Sequence, residues 1–528
     1  MAAIITDDFR KNAAQLFVDD ITSGRGSYYM GIGKSDDYDS QGGYDEDNAS
    51  FVLPSPVSSK AEEINVLNNL TTINKVGTAS AYRLVPRVNF SVGKVYKVYD
   101  PGDPNCFFAD SATGELPCFV MNSDREVFLV LDNSNGTTTT SNDTPSAVAT
   151  GNDIITSSAT TGEKYGLIVK GNYRYAYVCT LNRDSGFFTN QFAAIGAIGS
   201  TPVLNTAYAV GAGPDDSTGG LLYGFAIDDG GTGYSSTPTI TVRGRRYNKT
   251  TNAIEKFSIE PAVTITSPSP GYALTAITIN LDSSDILRTN LLGIIDADVV
   301  VSGGGGSGAV VRPLIGPLEG FGGDILNQLP TYYAGVRAEF EDDLSGDGLI
   351  IPFRQISLIK DASFATGDTP DDAAYAAGDV AKCLRYLNVT GGGTPAAMTT
   401  GDIFWDYADN DASAADANSA GYAVAIFDYY DSVLNRIYYH QNTDTDGDEQ
   451  YVNKIEFTSS GTINSSSGGT ITYSSITYPE YSPFRESNAE DSQFEYGKQN
   501  GNVLFIENRK KVTRAADQIE EVRMIIQF

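Results

Sequence analysis

The side chains able to do chemistry are few in kind. The chain holds one histidine, His440. A histidine-dependent hydrolase would have to use it, yet no Gly-x-Ser-x-Gly element accompanies it. It stands in Tyr438-Tyr439-His440-Gln441-Asn442, which reads as a strand end, so a structural role is expected. With 66 Asp and Glu residues, neighbouring carboxylates such as Asp7/Asp8, Asp36/Asp37 and Glu520/Glu521 arise by chance. Glycoside hydrolysis needs two of them facing across a bond, an arrangement that sequence does not reveal. Gly33-Lys34-Ser35 ends like a phosphate-binding loop, but Tyr28 occupies the position where that loop needs its first glycine. Asn442-x-Asp444-x-Asp446-Gly447 opens like a calcium loop, but Asn453 replaces the bidentate glutamate at the end. Asp444, Asp446 and Asp448 are the only candidates for an ion, and the competing reading is a solvated acidic turn. Asn248-Lys249-Thr250 has glycosylation spacing, which matters only in a secreted protein.

Four cysteines, Cys106, Cys118, Cys179 and Cys383, form no Cys-x-x-Cys pair. Zinc needs about four clustered N or S ligands, so no metal or cofactor is expected. A Cys106–Cys118 disulfide is compatible with the spacing. Free thiols in a reducing cytosol are the preferred reading.

The elements that would position these groups read as follows. Thr6 can cap a helix over Thr6–Ile21, with Asp7 and Asp8 at its positive end. Phe9, Ala13, Leu16 and Phe17 then share a face, expected to pack on the core. Ser59-Lys60-Ala61-Glu62 has capping-box spacing before Ile64, Leu67 and Leu70. Tyr28–Gly33 reads as a strand, as do stretches between Tyr82 and Asp132, including Phe90–Val98 and Glu126–Leu131. Asn133–Thr161 is Asn, Ser, Thr, Gly and Ala throughout much of its length and reads as a long surface loop. Tyr173–Leu181 alternates as a strand. Val424–Phe427 and Arg436–Tyr439 read as a hairpin. Val503–Ile506 and Val522–Phe528 read as closing strands, with Val522, Met524, Ile526 and Phe528 alternating against polar neighbours. No period of about 20–50 residues repeats, which argues against a solenoid.

The fold expected is mainly β: sandwich-like or barrel-like sheets, a few helices near the N-terminus, and two all-β-like insertions. The divisions are 1–205, an N-terminal core part; 206–312, a Gly-rich β insertion; 313–364, a core segment; 365–484, a second insertion rich in Asp, Thr and Tyr; and 485–528, core strands. A chain with 41% hydrophobic residues, 31 Tyr and 24 Phe has ample apolar surface to order itself. The net charge of −30 repels phosphates and anionic lipid, so neither nucleic acid nor membrane is expected as partner. A partner surface would be basic. The start MAAIITDDFRKNAAQLF lacks a basic run followed by an apolar one, so no secretory signal is expected. No run of about 18 apolar residues occurs either.

The last 28 residues carry the most specific pattern. Val503-Leu504-Phe505-Ile506 leads into Glu507-Asn508-Arg509; then come Asp517-Gln518, Glu520-Glu521 and a strand ending at Phe528. This resembles the C-terminus of the T4-type phage baseplate wedge protein family, the products of gene 8. Phe353-Arg354-Gln355-Ile356-Ser357 resembles an internal element of the same family. Gly33-Lys34-Ser35-Asp36 resembles its turn of glycine, base, serine and acid. The three matches keep the family's order. They extend loosely over the first 200 residues, then over 313–364 and 485–528, and leave the two insertions uncovered. The opening and the Gly-Thr-Gly-Tyr stretch look like structural proteins of T4-like phages of cyanobacteria. The resemblance implies a mainly β structural protein and not an enzyme. It implies a homodimer within each wedge, contacts with other wedge proteins, assembly in the host cytoplasm and a final place in the virion's tail baseplate. The alternative is a glycan-binding or glycan-cleaving tail protein, with Trp405 and nearby Tyr and Asp lining a sugar site. A secreted adhesin is a third reading, disfavoured by the N-terminus.

Overall fold

The computed structural model describes residues 4–38, 52–100, 103–146, 154–155, 167–181, 187–195, 220, 222–248, 251–266, 273–279, 293–317, 321–322, 324–340, 351–362, 380–406, 421–441, 457–477, 501–514 and 518–528. The protein is mainly β; among the described residues its sheets are largely antiparallel, with one closed barrel and a 16-residue helix near the N-terminus. It divides into two compact units. One comprises 1–16, 82–335 and 526–528; the other comprises 17–81 and 336–525.

The first unit is built on a five-stranded sheet in the order Phe119–Met121, Glu126–Asp132, Tyr173–Thr180, Leu167–Lys170, Ile154–Ile155. Every residue of Glu126–Asp132 is buried, as its unbroken apolar run requires of a strand covered on both faces. Tyr96, Phe128, Tyr173 and Tyr175 form one core on this sheet. The Gly-rich region supplies the pair Leu222–Thr232/Ser307–Ile315 and a three-stranded sheet of Ala253–Ile259, Thr239–Asn248 and Ile294–Ser302. Two expectations fail here. Phe90–Val98 forms only isolated bridges, Asn89 to Met121 and Tyr96 to Leu116, and Val92 is exposed. Asn133–Thr161 is not a plain surface loop. Asp143 is fully buried, and its carboxylate accepts from the Thr140 and Asn172 amides at 2.6 Å each. Ile154–Ile155 joins the sheet. The polar side chains satisfy the backbone of their own turn, which lets single residues of a largely exposed polar stretch be buried.

In the second unit we number the strands in chain order: β1 (Tyr28–Gly33), β2 (Leu70–Lys75), β3 (Phe353–Lys360), β4 (Val380–Lys382), β5 (Arg385–Gly392), β6 (Ile403–Trp405), β7 (Val424–Asp431), β8 (Arg436–His440), β9 (Gly461–Ser465), β10 (Gly469–Thr477) and β11 (Asn502–Val512). One sheet runs β4-β2-β1-β3-β11, and β5-β8-β7-β6-β9-β10 close a barrel. Leu387, Phe404, Ile437, Ile463 and Ile471 fill the barrel and are inaccessible to solvent. The expected hairpin is β7–β8. Val503–Ile506 does pair beside Phe353–Ile359, but the closing strand, Glu520–Gln527, belongs to a different sheet, next to Tyr333–Phe340. The two C-terminal strands therefore lie in different sheets.

Helix α1 spans Asp7–Thr22 and α2 spans Lys60–Asn68. Ser59 caps α2 by accepting from the Glu62 amide at 3.1 Å. Leu67 is buried on α2, while Leu70 already belongs to β2. In α1 the buried positions are Lys11, Ala14, Val18 and Ile21, while Phe9 and Leu16 are 64% and 66% exposed. Of the four positions read as one face, Phe9 and Leu16 point outward, while Ala13 and Phe17 are half-buried and Phe17 packs edge-on against Tyr28 at 5.5 Å.

Candidate functional site

The only histidine lies in the second unit, at the end of β8, within a buried polar cluster. Its Nδ1 sits 2.9 Å from both carboxylate oxygens of Asp428. Asp428 is placed there by a bulge. β7 and β8 pair Phe427 with Tyr439 and Tyr429 with Tyr438, leaving Asp428 without an opposite residue. The extra residue breaks the alternation and turns a carboxylate inward from an otherwise apolar strand. The Ser35 hydroxyl also donates to Asp428. On the other side of the ring, Nε2 faces Asp36 Oδ1 at 3.7 Å, and neither atom has another hydrogen-bond partner. Lys34 reaches Asp36 Oδ2 at 3.4 Å.

The turn holding Lys34, Ser35 and Asp36 is forced by its neighbours. β1 and β2 slip register between Ile32 and Gly33, and a side chain at Gly33 would collide with the Asn69 carbonyl. The chain leaves the strand through Lys34, at φ 56°, and the Lys34 amide donates to that same carbonyl at 2.8 Å. Arg354, 1% exposed, then binds the Ser35 carbonyl and Asp37 through its guanidinium. Tyr38 donates to the Arg354 carbonyl at 2.7 Å and accepts from the Arg509 amide at 3.1 Å. Gln355 donates to Asn508 at 2.9 Å, and β3 pairs Ile356 with Glu507 and Ser357 with Ile506. Gly33 faces Gln355 across β1 and β3.

Residues singled out in three distant segments thus come together: Gly33–Asp36, Phe353–Ser357 and Glu507–Arg509. Glu520 and Glu521 do not join them; they bind Arg514 and Arg523 elsewhere. Gln518 is exposed, and Phe528 donates its amide to Tyr332 at 3.0 Å. Asp517 and the three acidic residues Asp444, Asp446 and Asp448 lie outside the described residues. Among the described residues, no group of three or more His, Cys, Asp or Glu is arranged to hold a metal, and no helix is long and apolar enough to cross a membrane. Asp428 was missed by sequence reading. Its one signal is a lone carboxylate inside Val-Ala-Ile-Phe-Asp-Tyr-Tyr.

A serine, a histidine and an aspartate within hydrogen-bond reach invite comparison with a hydrolase triad. The connectivity is wrong for it. In a triad the serine bonds the ring nitrogen opposite the aspartate. Here Ser35 and His440 both bond the aspartate, and Nε2 faces a second carboxylate. The Asp428 and His440 side chains are 0% and 3% exposed. The arrangement is a charge latch. Lys34, Arg354 and His440 face Asp36, Asp37 and Asp428, and the latch ties the barrel strands β7 and β8 to the turn after β1.

Burial alone would push the His440 pKa down. Asp428 and Asp36 together override it and hold the pKa above its ordinary value of 6.5. Burial likewise opposes ionisation of Asp36, and Lys34 and His440 override it, holding that carboxyl below its ordinary range. A raised histidine pKa stabilises the fold fully below the unfolded value and ceases to do so as pH rises through the folded value. A lowered aspartate pKa stabilises above the unfolded value and is lost as pH falls through the folded one. The latch is therefore strongest between the ordinary aspartate value of 3.8 and the ordinary histidine value of 6.5, and it weakens as pH rises through the folded histidine value. His440 being the sole histidine, selective ¹³C-histidine labelling gives one ring signal. Its titration midpoint is expected above 6.5 in the native protein and to drop in Asp428→Asn. A native midpoint at or below the ordinary value contradicts the latch.

The sequence matches no protein-family model and no curated protein.

Proposed function

We propose that this chain is a structural subunit of the baseplate wedge of a contractile-tailed bacteriophage. It acts through assembly interfaces and their rearrangement on tail contraction, with no catalytic step. The observation that carries the reading is the outward stripe of α1. Phe9 and Leu16 are 64% and 66% exposed on one face of a helix whose other face is already packed, and Ile5, just before the helix, is 60% exposed. Side chains of this size and alignment on a solvent-facing helix mark a surface that another protein covers. Two further features support the reading. Three of the segments that resemble the wedge family, Gly33–Asp36, Phe353–Ser357 and Glu507–Arg509, are neighbours in one sheet and in the latch beside it. The acidic chain, at −30, suits basic partner surfaces rather than nucleic acid or membrane. The partners are a second copy within the wedge and the other wedge proteins; the site of action is the virion tail baseplate, after assembly in the host cytoplasm.

The test has two parts. Mass spectrometry of purified intact tails should find the chain, and the purified polypeptide should release no reducing ends from host polysaccharide. Absence from tails, or turnover of a glycan, overturns the proposal, and turnover supports a glycan-cleaving tail protein instead. A second prediction bears on the stripe itself. Phe9→Asp with Leu16→Asp should abolish association with a second copy or with wedge partners in sedimentation experiments. Both side chains are exposed, so the thermal stability of the isolated chain should change by less than about 1 kcal/mol. Unaltered association would remove α1 from the interface.

A further inference from the structure

Cys106 and Cys118 lie in the first unit, 2% and 0% exposed. They are the only described thiols that bond each other: the Cys118 S–H donates to Cys106 Sγ at 3.2 Å. Their backbones are fixed. Cys106 sits in a single turn, Pro104–Phe107, capped by Asp103. The Cys118 amide donates to the Cys106 carbonyl at 2.8 Å, and the Cys118 carbonyl accepts from Val130 at 2.7 Å. Two sulfurs held this way face each other in the folded state without any backbone rearrangement.

Cys106 also lies at the wall of a cleft of about 970 Å³, which it lines together with Lys97, Tyr99, Asp228, Arg312 and Pro313. Lys97, whose ammonium donates to the Asn105 carbonyl at 3.1 Å, lines the same wall, as do Asp100 and Asp103, whose charges oppose ionisation of Cys106. The hydrogen bond from Cys118 holds the Cys106 thiol below its ordinary range, whereas burial pushes the Cys118 thiol up. Cys179, in the same core, is pushed up to about 12 by burial alone. Cys106 lines the cleft and Cys118, 0% exposed, does not, so the geometry separates an attacking sulfur from a resolving one.

We propose that Cys106 and Cys118 are a redox modification site, at which a peroxide entering the cleft converts the two thiols to a reversible intramolecular disulfide. The Cys106 thiolate attacks one peroxide oxygen. An S–O bond forms, the O–O bond breaks, and the departing hydroxide takes up a proton to leave as water. Cys118 then attacks the resulting sulfenic sulfur. The S–S bond forms, the S–O bond breaks, and the oxygen leaves as a second water with the Cys118 proton. Two thiols lose two electrons and the peroxide gains them. This inference is independent of the wedge reading.

The test uses the full chain and hydrogen peroxide at equimolar level, followed by denaturation, alkylation and digestion. Both cysteines fall in one tryptic peptide, Val98–Arg125, because no lysine or arginine separates them. Oxidation should make that peptide two hydrogens lighter and cut alkylation of both thiols by about tenfold or more. Dithiothreitol should reverse both changes, with Cys179 and Cys383 unaffected. In Cys118→Ala, Cys106 should instead be trapped as a sulfenic acid by dimedone. The wild-type mapping stands alone if that variant fails to fold. Two freely alkylated thiols after peroxide, a link to Cys179 or Cys383, or oxygen addition that dithiothreitol does not reverse would each overturn the proposal.

Discussion

Replacing Asp428 by alanine is expected to destabilise the barrel by about 3–5 kcal/mol, the cost of removing one partner from a buried ion pair. The size follows from what remains. His440 loses the only hydrogen-bond acceptor on Nδ1, and the Ser35 hydroxyl loses the atom it donates to. The ring must then discharge, or stay charged with Asp36 at 3.7 Å as its nearest carboxylate. Both options carry desolvation that the native pair offsets. Asp428→Asn keeps two polar atoms at the site and removes only the charge, so its effect should be the smaller. The one tryptophan is a ready reporter, because Trp405 lies in β6, is 8% exposed, and pairs across to Val424 of β7. Its fluorescence should shift to a lower urea midpoint by about 1 M or more in Asp428→Ala, given typical slopes of unfolding free energy with urea. A midpoint within about 0.2 M of wild type would mean that the latch contributes nothing to holding the barrel.

The strands were legible because their patterns are strong. Tyr28–Gly33, Tyr173–Thr180 and the Val424/Arg436 hairpin all lie where alternation or an apolar run places them. The face of α1 was misread for a definite reason. Phe9, Ala13 and Leu16 make a better apolar stripe than Lys11, Ala14, Val18 and Ile21, but the second set packs inward, with the Lys11 ammonium donating to the Asn327 carbonyl at 2.7 Å. A buried lysine that finds a carbonyl is invisible to hydrophobic periodicity. The latch was legible only in part. Gly33-Lys34-Ser35-Asp36 stands out as a turn and His440 as a solitary ring, yet the residue that joins them is Asp428, 393 positions from Ser35. Its inward aim depends on a bulge, and a bulge depends on the register between two strands, which side-chain types alone do not fix.

Arg354→Ala should cost about as much as Asp428→Ala, again about 3–5 kcal/mol, because its guanidinium is a buried cation with two recipients. One is the Ser35 carbonyl, which is left without its donor when the side chain is cut back; the other is Asp37. Asp37 is 75% exposed, so water replaces that half of the interaction and the carbonyl carries most of the loss. Arg354→Lys keeps a charge but not the planar fork, and a single ammonium does not serve both recipients in one geometry. It should therefore fall between wild type and alanine. The decisive measurement is the double variant. Arg354 holds the main chain of Ser35, and Asp428 holds the side chain of the same residue. If one turn carries both loads, the first substitution releases Ser35 and the second finds less left to break. The two effects should then sum to less than their separate values by about 0.5–3 kcal/mol. The His440 midpoint should also fall in Arg354→Ala, since Asp36 is carried on the turn that Arg354 anchors. Strict additivity, with the histidine titration unmoved, would mean that Arg354 and Asp428 belong to two separate pieces of packing rather than to one latch.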